Sequence, residues 1–249
     1  MSNPVLNEGA IENFRANESA FEVMTISGVV LKTTFLFAIL LTTALYTFSL
    51  VVNGFMDKAS MLGMVGAIGG FIVAMVIIFA RNSKILAPLT MLYAGLEGLL
   101  IGGISALFAA KNGVAIIGQA SLATFATLFA MLFLYSARII KCTEKFKSTI
   151  IIGTFATFVV YVVTFIMSLF NPASSSLLMG SGPVGIGFSV IVCLIAAFNL
   201  IIDFHIIETA KNMNLDRSFE WYGGFSLMVT LIWLYIEFLK LLSKLNSRN

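Results

Sequence analysis

Long apolar stretches alternate with short polar ones along the chain, and each stretch approaches the roughly 20 residues a helix needs to cross a bilayer. Uncharged runs lie between Lys32 and Asp57, between Lys58 and Arg81, and between Lys111 and Arg138. A further run from Lys84 to Lys111 is broken only by Glu97. From Ser148 to Ile202 no charge occurs for 55 residues, which is too long for one span. Asn171-Pro172 with the serines after it, then Gly180-Ser181-Gly182-Pro183, divides that run in two. With a final stretch the pattern predicts seven helices, at 33–54, 59–80, 86–109, 113–137, 149–170, 183–208 and 221–243.

The final stretch differs in kind. Ser226, Thr230, Trp233, Glu237 and Lys240 recur at steps of four, three, four and three, which sets them along one helix face. A polar stripe cannot face lipid, because an ionisable group in hydrocarbon is costly unless it is paired or hydrated. The expected fold is therefore an all-α integral membrane protein of seven transmembrane helices, with the last helix central in the bundle. A soluble tail over residues 1–32 precedes the membrane domain of 33–243, and residues 244–249 form a short C-terminal tail. Gly63, Gly66 and Gly70 in the second span, and Gly95, Gly98 and Gly102 in the third, fall at steps of three and four on one face each, a spacing that lets helix backbones approach closely.

Composition agrees with a membrane protein: 59% of the 249 residues are hydrophobic and 11% charged, against about 25% charged in soluble domains. The net charge of +3 is small and the basic residues fall between spans, so they report orientation and give no sign of a nucleic-acid partner. Ten of the lysines and arginines fall in the N-terminal tail and the 81–85, 138–148 and 209–220 loops; five fall on the other side. The ten-residue side is expected to be cytoplasmic, with the N-terminus inside and the C-terminus outside. Residues 1–31 carry four glutamates against one arginine and have no apolar core before Val29, so no cleaved signal is expected. Cys142 in a basic loop and Cys193 in mid-span give no disulfide or metal pattern.

Candidate chemistry rests on the ionisable residues inside the spans. By helical rise Asp203, Glu97 and Glu237 lie about 8, 18 and 24 Å from the cytoplasmic side, a staircase suited to a cation path in which each carboxylate binds weakly enough to release, with transient Ca²⁺ the expected ligand. Each also has a structural reading. Glu97 can bond Tyr93 one turn away, Glu237 can pair with Lys240, and Asp203 can be an interfacial acid. Asn199 is one turn before Asp203 on the same face, and Arg81 and Arg138 are its candidate gating partners. His205 and Glu208 are possible pH sensors, but steps of two and five residues place them off the Asp203 face, which speaks against a metal cluster. No nucleophile, base and acid set, HExxH or phosphate loop occurs, so neither catalysis nor a bound cofactor is expected, only transported Ca²⁺ or H⁺. A retinal-binding protein would need a lysine in the middle of the last helix, and Lys240 lies near its end.

The pieces MTISGVVLKT (Met24 to Thr33), YAGLEGLLIGGIS (Tyr93 to Ser105), LIIDFHIIE (Leu200 to Glu208) and EWYGGFSLMVTLIWLYIEFLKLL (Glu220 to Leu242) resemble the Bax inhibitor family, specifically its bacterial branch. The resemblance covers nearly the whole chain in order. It implies seven spans around a central last helix, in a bacterial inner membrane, and a pH-sensitive calcium leak in which two aspartates on the sixth and seventh helices share a proton and an arginine. Asp203 matches the sixth-helix aspartate and Arg81 the arginine near the end of the second helix. The seventh-helix aspartate falls on Thr230, so either Glu237 or Glu97 substitutes for it or the latch is altered. The alternative role attached to the bacterial branch is a non-transporting protein that modulates a membrane-bound protease, with the acidic tail as its contact.

Overall fold

In the computed structural model, residues 22–80, 85–170, 178 and 180–247 are described. They hold α1 (Ile26–Val52), α2 (Met56–Ala80), α3 (Leu86–Asn112), α4 (Ala115–Ser136), α5 (Glu144–Phe170), α6 (Pro183–Asn212) and α7 (Phe219–Asn246). All seven are long and apolar enough to span a membrane. In the most apolar windows of α6 and α7, 56% of residues are buried, against 17–39% in the others, so the last two helices are the interior ones. The polar stripe explains α7: Ser226, Thr230 and Glu237 are buried, and the interleaved Leu231, Leu234 and Leu239 are buried as well.

Several helices begin or end outside the apolar runs. α1 starts at Ile26, seven residues before the expected boundary, because the extended Thr25 caps it: its hydroxyl accepts the Gly28 N–H at 2.9 Å. Residues 26–32 are thus helix, where a soluble tail was expected. α5 starts at Glu144 in place of 149, since the Thr143 hydroxyl accepts the Phe146 N–H at 3.2 Å. α6 runs on to Asn212 and α7 to Asn246, which brings Lys244, expected in a tail, into the helix. Pro183 takes the first position of α6, where its missing N–H costs no bond.

The chain forms two compact units: the described residues up to Ala110 with His205–Val229, and Lys111–Phe204 with the chain from Thr230 on. In the first, the glycine stripes do what their spacing predicts, with two exceptions. A Cβ on Gly66 would lie 2.5 Å from the Leu96 carbonyl of α3, and Cβ atoms on Gly98 and Gly102 would collide with the Leu40 and Ala44 carbonyls of α1. Gly70 sits against Glu97 and Gly95 only loosely against Ile39, while Gly63 faces open space. Phe219, Tyr222 and Phe225 fill the core of this unit, with Tyr93 edge-on to Phe225 at 4.8 Å. Residues 22–24 are strapped to the α6–α7 connection by an antiparallel bridge between Val23 and Asp216, with the Met24 N–H donating to the Leu215 carbonyl and the Arg217 N–H to that of Glu22.

In the second unit α5 packs on α6, with Phe146 edge-on to Phe198, Tyr161 edge-on to Phe188, and Ile195 against Gly153.

Candidate functional site

Asp203 is wholly buried on α6, as are Leu200, Ile201 and Ile202 before it. Its Oδ2 accepts a 2.6 Å hydrogen bond from the hydroxyl of Thr230 on α7. The position to which the resemblance assigns a second aspartate therefore does face Asp203, but it brings a hydroxyl there. Glu237 makes its own bonds, to Tyr161 and Lys240. Asn199 turns its amide to α5 and its own helix, donating to Thr154 Oγ1 at 2.8 Å and to the Ile195 carbonyl at 2.9 Å.

Of the two candidate arginines, Arg81 lies outside the described residues. Arg138 follows the end of α4 in a left-handed conformation (φ 57°), where glycine is the usual occupant. Its guanidinium lies over the Tyr135 ring, 5.7 Å from the centroid, and Tyr135 packs against Phe204, the neighbour of Asp203. His205 and Glu208 are half-buried further along α6, in the first unit. Among the described residues, no three His, Cys, Asp or Glu side chains gather to hold a metal ion.

Glu237, also buried, has two partners in the second unit: Tyr161 Oη donates to Oε2 at 2.8 Å and Lys240 Nζ to Oε1 at 2.9 Å. The Lys240 ammonium also sits 4.3 Å from the Tyr161 ring centroid. The carboxylate is thereby charge-compensated on its own helix. Glu97, half-buried in the first unit, is hydrogen-bonded by Tyr93, and Gly70 leaves room for its carboxyl. The staircase thus divides: Glu97 belongs to one unit, Asp203 and Glu237 to the other.

Sequence reasoning did not reach two clusters. One is Lys244, whose ammonium is buried among three oxygens. The other is an ion network under the strap. Glu220 Oε1 accepts from the Thr25 N–H at 2.8 Å and its hydroxyl at 3.1 Å, Oε2 accepts from Lys32 Nζ at 2.6 Å, and Arg217 pairs with Glu22. That bond to Glu22, and its charge, raise the Arg217 guanidinium above its ordinary value. These residues line a pocket of about 460 Å³ together with Ser27, Gly28 and Leu31. In the sequence Lys32 only bounds the first apolar run; its partner Glu220 is 188 residues away, a pairing that no local pattern reports.

Seven helices long and apolar enough to span a membrane, with Asp203 and Glu237 buried on the last two, define a polytopic membrane protein. A family model described as Bax inhibitor 1 like matches residues 3–247, and the chain belongs to that family. No curated protein shows a significant match to it.

Proposed function

We propose that the protein is a passive leak for calcium ions or protons, in a bacterial inner membrane with its N-terminus cytoplasmic, and that Asp203 governs its response to pH. The observation that supports this reading is the buried bond from Thr230 to Asp203 between α6 and α7. While Asp203 is ionised the bond is charge-assisted; once the carboxylate takes a proton that assistance is lost and the two helices are held less firmly. Thr230 cannot carry the shared proton that a second aspartate would. Glu237 is a weak cation site beside this contact, and the Lys240 partner keeps it from trapping a divalent ion.

Calcium-dye fluorescence in liposomes holding the purified protein tests the reading. Asp203→Asn should cut the change in flux between about pH 6 and about pH 8 by about fivefold or more, the scale of a coupling of about 1 kcal/mol. Thr230→Asp should restore a proton-sharing pair and split the response into two steps. Wild-type flux equal to that of empty liposomes, or an unchanged pH profile in folded Asp203→Asn, would overturn it.

One feature favours a second reading, modulation of a membrane-bound protease. The N-terminal segment is tied to the α6–α7 connection, so a partner gripping residues 1–21 would pull on Glu220. Deleting those residues leaves flux intact under the first reading and abolishes partner binding under the second.

A further inference from the structure

Lys244 lies two residues from the end of α7 and is 7% exposed. Its ammonium donates to the Leu178 carbonyl at 2.8 Å, the Gly185 carbonyl at 2.9 Å and Ser189 Oγ at 2.8 Å. An ammonium has three N–H donors, so all three are used, and on uncharged oxygens. The acid in the second half of α7, Glu237, gives its carboxylate to Tyr161 and Lys240. A buried ammonium without a carboxylate against it is costly to desolvate unless its surroundings replace its hydration shell.

Here they do. Backbone carbonyls and a hydroxyl converging on one cation are the means by which proteins take a dehydrated monovalent ion. Distances of 2.8–2.9 Å are too long for Mg²⁺ or Ca²⁺, which need about 2.0–2.6 Å. The cage is built by close backbone approach: a Cβ on Gly185 would collide with the Gly180 carbonyl, so only glycine lets the start of α6 fold against the segment before it.

We propose that these three oxygens form a site for a monovalent cation of the ammonium or potassium class, which the chain fills with its own lysine. The tethered ammonium ties Leu178 and the start of α6 to α7 and keeps the site closed to free ions. The proposal is independent of the leak reading, because it concerns binding and stability.

The test extracts Lys244→Ala in parallel in methylammonium chloride, potassium chloride and N-methyl-D-glucamine chloride at equal ionic strength. Yield of folded monomer and the midpoint of thermal unfolding are measured. In the glucamine salt the midpoint should fall about 5–10 °C below wild type, and methylammonium, which refills the vacated space, should return at least half of the loss, with potassium returning part. Wild type should unfold at the same temperature in all three salts. Adding Ser189→Ala, which removes one of the oxygens, should weaken the recovery. Failure of both small cations to restore Lys244→Ala, whether the variant is unstable in every salt or never lost stability, overturns the proposal. Equal recovery in the double variant also overturns it.

Discussion

At Gly98 a single methyl group has nowhere to go: it would meet the Leu40 carbonyl and the Thr43 hydroxyl of α1. Gly98→Ala should therefore destabilise the protein by about 1–3 kcal/mol, the scale of an overpacked contact, read as a lower unfolding midpoint in detergent. Gly63→Ala should be neutral or slightly stabilising, since that position meets nothing and alanine is the better helix former. The two stripes look alike in sequence, and spacing alone could not say which glycine faces a neighbour. Thr230 was legible because the resemblance placed it opposite Asp203. Lys244 was legible in principle, being one more step of four along the stripe that ends at Lys240. It was lost because a lysine beyond an apolar run reads as a residue reaching for water. Tyr161, the partner of Glu237, had no signal: it is 76 residues away in a run without charge.

Among the elements, the strap is the one that hydropathy misses, because it joins short polar segments outside every apolar run. Glu220 is its centre, bonding Thr25 and Lys32 at once. Glu220→Gln should leave the Lys32 ammonium uncompensated and loosen the bridge. Hydrogen exchange at the Met24 and Arg217 amides, which donate across the strap, should then speed up about tenfold or more, while amides in the middle of α4 keep their protection. Unchanged protection at both amides would show that the backbone bridge holds without its ion pair. The seven helices were all visible as apolar runs, and their cores agree with the reading. Their ends do not, because threonine caps and a paired lysine extend α1 and α5 beyond the lipid-like sequence that announces them.

For the whole molecule, an odd number of spans puts the two termini on opposite sides of the membrane. A reporter fused after Asn249 should score as external and one inserted between Arg138 and Ser148 as cytoplasmic. Both on one side would remove a span from the count. The family was readable from the sequence pieces that resemble it, and the all-helical architecture from charge and hydropathy. The assignment of residues to the two units was not, because it depends on which half of α6 and of α7 joins which set of helices. The stripe on α7 also bears on how the protein is made. A charged residue in a span opposes insertion, by about 2.5–3.5 kcal/mol for a lysine or aspartate at the centre and less towards the ends, and α7 carries Glu237, Lys240 and Lys244 in its second half. The groups that receive them, Tyr161 on α5 and the Gly185 and Ser189 oxygens of α6, leave the ribosome earlier. The polar end of α7 is thus expected to settle in the bilayer against helices synthesised before it.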